Sequence, residues 1–176
     1  IGISLSPHGD LKVQNRGGYL KAGGHAQFDA LWPWLSMHHQ DLARILAKNL
    51  VIFGEWCFAK HSILYDRLPD WFLLFDVYDR RKGIFWPTLQ RDSMAREIDL
   101  KTVPFIGYGL LTSLKLTDML DADSVLCSGP KEGLYLRKEV PACLMARAKI
   151  VNSAFVLDIQ DHWRNQELVR NGLASS

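Results

Sequence analysis

Cysteine is scarce in this sequence. Cys57, Cys127 and Cys143 are its three, widely spaced and with no Cys-x-x-Cys among them. Isolated thiols of this kind exclude a full disulfide framework and a typical structural zinc site. They suit a reducing compartment, so a cytoplasmic protein is expected. Long apolar runs are lacking too. None approaches the ~20 residues of a membrane span, and no secretory signal is legible, so no membrane partner is expected. Net charge is only +2, so overall charge does not by itself argue for a nucleic-acid partner. Repeats, low-complexity tracts and interior linkers are missing. What remains is 48% hydrophobic and 23% charged over 176 residues, which fits one domain, 1–176, with a sizeable core. The chain opens on Ile1, and Ile1, Ile3 and Leu5 already alternate with Gly2, Ser4 and Ser6. A fragment cut at a strand is expected, with sequence missing upstream.

The most informative stretch is Leu50 to Asp79. It holds two apolar runs, Leu50–Phe53 and Phe72–Val77, that read as buried strands. Each carries an acid that an apolar strand has no structural need for. Glu55 follows Phe53-Gly54, and Asp76 follows Phe75. A glycine inside such a strand signals a bulge or a close approach of ligand to backbone. One such acid alone is more simply a paired core or rim carboxylate. Two in one stretch favour a site.

Taken in order, residues 1–6 and 11–16 predict a hairpin turning at Pro7-His8-Gly9-Asp10. It leads to Asn15-Arg16-Gly17-Gly18, where the glycines allow a tight turn and Arg16 is either a surface cation or a ligand contact. Helical spacing covers 26–49, with Pro33 at a start or break. His38 and His39 are adjacent, so they point about 100° apart on a helix and make no metal pair. Asp79-Arg80-Arg81-Lys82-Gly83 reads as a solvated turn, and Ile84–Pro87 as a short edge strand. Thr88 is expected to cap a helix reaching about Ile98. A strand is expected at Val103–Ile106, a helix over Thr112–Leu120 and a closing helix over 154–172. Between the last two helices come two further strands. In the first, Glu132 precedes Gly133, and Tyr135 and Arg137 point away from Leu134 and Leu136. In the second, strict alternation over Met145–Val151 sets Arg147 and Lys149 on one face.

Several of these pieces, in this order, resemble the ATP-dependent RNA ligase family of covalent nucleotidyltransferases, which also include DNA ligases and mRNA capping enzymes. The resemblance rests on Asn15-Arg16-Gly17, Phe53-Gly54-Glu55-Trp56, His61-Ser62-Ile63-Leu64-Tyr65-Asp66 with Leu68-Pro69-Asp70-Trp71-Phe72, and Phe75-Asp76-Val77-Tyr78-Asp79. It continues through Glu132-Gly133-x-x-x-Arg137 and Arg147-x-Lys149. The family's Lys-x-Asp-Gly, which carries the nucleophile, has no counterpart here and in the family directly precedes the strand that begins at Ile1. The family has Lys-x-Lys where this chain has Arg147-x-Lys149.

The resemblance implies an α+β nucleotidyltransferase domain of antiparallel sheets flanked by helices, with ATP between them. It implies a lysyl-AMP formed from ATP and Mg²⁺ or Mn²⁺, then sealing of 5′-phosphate to 3′-hydroxyl RNA ends. Arg16 is expected at the nucleotide pocket, Glu55 on the ribose and Phe75 stacked on adenine, with Asp76 buttressing the site. Glu132 is expected to serve the metal, and Lys149 and Arg147 to engage the α-phosphate. As given, without the lysine, the chain is expected not to adenylylate itself. A DNA ligase, a capping-type enzyme and a non-catalytic nucleotide- or RNA-binding module are the alternatives.

Overall fold

The structure, a computed structural model, describes residues 1–156 and 168–174. Its larger sheet is antiparallel, in the order β3-β2-β1-β4-β5-β6. The strands are β1 (Gly2–Leu5), β2 (Leu11–Asn15), β3 (Gly18–Tyr19), β4 (Leu50–Trp56), β5 (Phe72–Asp79) and β6 (Ile84–Phe85). The predicted opening hairpin is β1–β2, with Ile3 opposite Val13. A second sheet is the hairpin of β7 (Gly133–Val140) and β8 (Cys143–Val151). The fold is therefore α+β with antiparallel sheets flanked by helices.

Period-2 alternation decides which face of the large sheet is core. Val13, Ile3, Ile52 and Val77 lie side by side across four strands and are all buried. They belong to the same core as helix α1 (Leu31–Leu46). The helix buries Leu31, Trp34, Leu35, Leu42, Ile45 and Leu46 at helical spacing, with Pro33 in its first turn. Each such aliphatic side chain contributes about 1.5–3 kcal/mol on full burial. Trp34 Nε1 donates to the Asp70 carboxylate at 3.0 Å, tying the helix to the segment that leads into β5. His38 is tilted against the Trp34 ring, 4.4 Å between centroids.

The neighbouring row, Gln14–Gly2–Phe53–Asp76, faces the other way. Here the ladder breaks. Phe53 pairs with Asp76 but Gly54 pairs with Leu74, leaving Phe75 as the extra residue of a β-bulge. Gly54 is the residue that tolerates this, because a Cβ there would sit 2.3 Å from the Phe72 ring and 2.7 Å from the Leu73 carbonyl oxygen. The glycine expected to mark a bulge or a ligand does mark the bulge, and a core phenylalanine fills the space beside it.

Three predicted elements differ. Val103–Ile106 is not a strand; Val103 N donates to Leu74 O beside an isolated parallel bridge from Leu74 to Thr102. Pro104 cannot donate to a ladder, which limits pairing there. Thr88 is the first residue of α2 (Thr88–Glu97) and Pro87 its N-cap. The closing helix covers Ser153–Val156, while 157–167, with His162 and Trp163, lie outside the described residues. Residues 168–174 are extended, with bridges Ala59 to Arg170 and Leu68 to Leu173. Buried Asn171 explains why: its side chain accepts from Tyr65 N at 2.9 Å and donates to Cys57 O at 2.8 Å. Helix α3 (Ser113–Asp121) is as expected, capped by Thr112. Among the described residues no helix is long and apolar enough to cross a membrane.

Candidate active site

On β7–β8, register sets Tyr135 opposite Lys149 and Arg137 opposite Arg147. Alternation puts all four on one face of the hairpin, and three of them reach β5. Tyr135 Oη donates to Asp76 Oδ2 at 2.7 Å, Arg147 Nη1 donates to the same oxygen at 2.7 Å, and Arg137 Nη1 pairs with Asp76 Oδ1. Two arginines directly opposite one another would repel. Asp76, 0% exposed, sits between them as the shared counter-charge. Its carboxylate ties the small sheet to the face of the large one opposite α1. Asp76 thus bonds three side chains of the hairpin from β5.

The bulge adds a second connection. Regular alternation would send Phe75 and Asp76 to opposite faces, yet both meet Tyr135. The Phe75 ring lies edge-on to the Tyr135 ring with centroids 5.6 Å apart. A bulged residue also loses its ladder partner, and a buried carbonyl needs one. Phe75 O accepts from Arg91 Nη1 at 2.8 Å and from Arg137 Nη1 at 3.1 Å. Arg137 Nη2 donates in addition to Trp86 O at 2.7 Å. Arg147 lies over the Phe85 ring, 4.3 Å from its centroid.

Glu132 and Lys149 face each other at the far end of the hairpin, 3.8 Å apart and both partly exposed. Gly133 follows Glu132 because a Cβ there would lie 2.2 Å from Ile150 O. Glu55, on the same sheet face as Phe53 and Asp76 by alternation, is exposed. Burial chiefly, and Glu55 and Glu132 beside it, push the Cys57 thiol up to about 12. Tyr65 is raised by the same causes, burial first and Glu132 next. The two carboxylates therefore flank one neighbourhood, and Cys57 within it is inert as a nucleophile at neutral pH. Arg16 is exposed in the turn between β2 and β3, where Asn15 Oδ1 accepts from the Gly17 and Gly18 amides. Ile1 O accepts from Gly54 N at 3.0 Å, which sets Glu55 beside the start of β1. A depression of about 440 Å³ lined by Pro69, Asp92, Lys101 and others shares no residue with this open face.

Two contributors were not legible as such. Glu139 accepts from Thr88 N at 2.9 Å and Thr88 Oγ1 at 2.7 Å, and also pairs with Arg137 Nε. It caps α2 from another strand, placing a negative charge at the helix N-terminus. Burial alone would raise its carboxyl, but hydrogen bonds from Thr88 and Arg137 hold it below the ordinary range. A lowered carboxyl contributes stability that is present above its unfolded value, about 4.3, and is lost as pH falls through the folded one. Glu139→Gln is expected to lower stability by about 1 kcal/mol at pH 7, as for loss of a cap. It should also flatten the loss expected of the parent between about pH 5 and pH 3; urea midpoints across that range check this. Arg91 is the other contributor. Its sequence signal was an arginine spaced 3, 4 and 7 residues before the buried Met94, Ala95 and Ile98.

A model of the RNA ligase family matches residues 1–151. The chain belongs to the RNA ligase family. Among solved structures, this family member is similar to Naegleria gruberi RNA ligase with PPi, at 21% identity and TM-score 0.69, over 92% of this chain and 48% of that one. It is similar as well to a lysine-to-alanine mutant of the Naegleria gruberi enzyme with ATP and Mn, at 21% identity and TM-score 0.68, over 89% and 48%. These likenesses establish the RNA ligase fold, and the chain spans about half the length of the structures it matches. Comparison with curated proteins finds no match.

Proposed function

We propose that this chain is the nucleotidyltransferase part of an ATP-dependent RNA ligase, a single domain over 1–176 working in the cytoplasm. It would form lysyl-AMP from ATP and use it to seal a 5′-phosphate to a 3′-hydroxyl of RNA. The observation that carries the reading is the docked hairpin. Through Asp76 it holds the Arg147 and Lys149 strand, with Glu132, against the sheet face that carries Phe75 and Glu55. Solved family structures described with ATP and Mn support the choice of nucleotide.

In this reading Phe75 stacks on adenine, Glu55 accepts from the ribose hydroxyls, and Arg16 neutralises charge at the pocket edge. A lysine supplied ahead of Ile1, in the Lys-x-Asp-Gly of the family, attacks the α-phosphorus as a neutral amine. The N–P bond forms as the bond to pyrophosphate breaks, and the amine proton is lost. Neighbouring cations lower that amine's pKa. Lys149 and Arg147 stabilise the negative charge that builds on the phosphate oxygens. Arg147 has guanidinium donors beyond the one on Asp76, and 48% of its side chain is exposed to reach them outward. An RNA 5′-phosphate oxygen then displaces the lysine, and a 3′-hydroxyl oxygen displaces AMP.

Among the described residues no three His, Cys, Asp or Glu groups converge as a metal cage. A single hard carboxylate, Glu132, fits Mg²⁺ or Mn²⁺, which keep several waters and share substrate phosphates. Such an ion, when bound, would neutralise phosphate charge and polarise the reacting phosphorus.

Phe75→Ala is expected to weaken ATP binding to this chain about 10- to 100-fold, the range for loss of one base–aromatic stack. Phe75→Trp should be milder. Titration calorimetry with ATP and Mn²⁺ checks both. Unchanged affinity in a folded Phe75→Ala protein would assign the ring to packing alone.

A further inference from the structure

Arg91 is 4% exposed, yet nothing in the chemistry above uses it. A buried guanidinium is costly unless fully paired. Its Nε and Nη2 are taken by Asp92, the next residue on α2, at 2.8 Å. That leaves Nη1, which crosses to β5 and donates to Phe75 O at 2.8 Å. Within α2, Arg91 occupies a core-facing position beside Met94 and Ala95, where an apolar residue would otherwise pack. The carbonyl it reaches is that of the extra residue of the bulge, which the ladder leaves without a partner.

From this geometry we propose that Arg91 is a positioning residue: by pinning the bulged carbonyl of Phe75, it fixes the ring in the orientation that stacks on the base of the nucleotide. The inference rests on the reading of Phe75 as the stacking ring. Arg137 shares the same carbonyl at 3.1 Å but also holds Asp76, Trp86 O and Glu139. Removing Arg137 would undock the hairpin and report little about the ring. Arg91 meets β5 through this hydrogen bond, and Asp92 absorbs the rest of its charge. The bulge lets Phe75 and Asp76 share one face, and Arg91 keeps the bulge from sliding back into regular register. Base stacking requires the ring plane to be set in advance, because a ring that must reorient gives up part of the binding energy.

The experiment uses the 176-residue chain with Mn²⁺ and two ligands, ATP and inorganic tripolyphosphate, which has the phosphates and no base. Arg91→Met is expected to weaken ATP binding about 10-fold, the lower end of the range for one base–aromatic stack, and to leave tripolyphosphate binding within about twofold. Added to Phe75→Ala, it should have no further effect on ATP, because the interaction it supports is already gone. Arg91→Lys, which keeps one donor for the carbonyl, should fall between parent and Arg91→Met. It also carries the test should Arg91→Met melt below the assay temperature. Equal loss of both ligands, additive losses with Phe75→Ala, or unchanged ATP affinity would each overturn the proposal. If the Phe75→Ala protein binds ATP like the parent, the stacking reading beneath it fails instead, and the inference falls with it.

Discussion

Asp76→Ala is expected to destabilise the protein by about 3–5 kcal/mol, the range for removing one partner of a buried ion pair. The substitution deletes the shared acceptor of Arg137, Arg147 and Tyr135. It leaves Arg137, with 9% of its side chain exposed, opposite Arg147 with no acid shared between them and Glu139 as the acidic partner of Arg137 that remains. Most of the loss comes from the buried Arg137 Nη1, which loses its carboxylate partner. Arg147 contributes less, because a half-exposed ion pair is largely screened by solvent. Asp76→Asn keeps an acceptor but no charge and should fall between. Asp76→Leu with Arg137→Met should recover part of the loss, since apolar replacement of a buried pair is often close to neutral. Urea unfolding of the four proteins at one pH measures this. A loss below about 1 kcal/mol for Asp76→Ala would mean that other contacts dock the hairpin.

Lys149→Ala is expected to slow lysyl-AMP formation by about 10²–10³, as for loss of one preorganised electrostatic donor. Its side chain is 63% exposed and its ammonium only loosely associated with Glu132 at 3.8 Å, so it is available to a phosphate. The same exposure predicts little effect on folding, within about 0.5 kcal/mol. Arg147 should behave differently. Its guanidinium is always charged and fork-shaped, it rests on Asp76 and the Phe85 ring, and it would bind phosphate alike in ground and transition states. Arg147→Ala should therefore mainly raise the KM for ATP, with Arg147→Lys better tolerated. Single-turnover adenylylation across ATP concentrations, in a chain carrying the lysine ahead of Ile1, separates the two. If both alanine variants react like the parent, the pair is a solvated strand face.

Much of this arrangement was legible because it follows from period and local chemistry. The alternation of Ile1, Ile3 and Leu5 announced β1, the apolar runs Leu50–Phe53 and Phe72–Val77 announced β4 and β5, and the spacing of Leu31, Leu35 and Leu42 announced α1. The glycine at 54 announced a bulge or a close approach of ligand, although the sequence could not say which, that Phe72 would crowd it or that Phe75 would be the extra residue. The candidate site was readable because its acids and cations break otherwise apolar or alternating strands. What stayed hidden depends on pairs far apart in sequence. Asp76 meets Arg137 and Arg147 at separations of 61 and 71 residues, and no local pattern encodes those partners. Thr88 has the chemistry of a cap, but Glu139 does that work from another strand. Asn171 fell inside a helical-looking tail, and its buried amide pins 168–174 as an extended segment instead.

The most direct test is covalent labelling. A chain carrying Lys-x-Asp-Gly immediately ahead of Ile1 is incubated with ATP radiolabelled at the α-phosphate and Mn²⁺, beside the same chain with that lysine replaced by alanine and the chain beginning at Ile1. The expected result is an acid-labile label on the first protein alone, discharged by added pyrophosphate and formed far more slowly when Lys149 is alanine. Label on the chain beginning at Ile1, or none on a folded, ATP-binding chain that carries the lysine, would contradict an adenylylation site on this face.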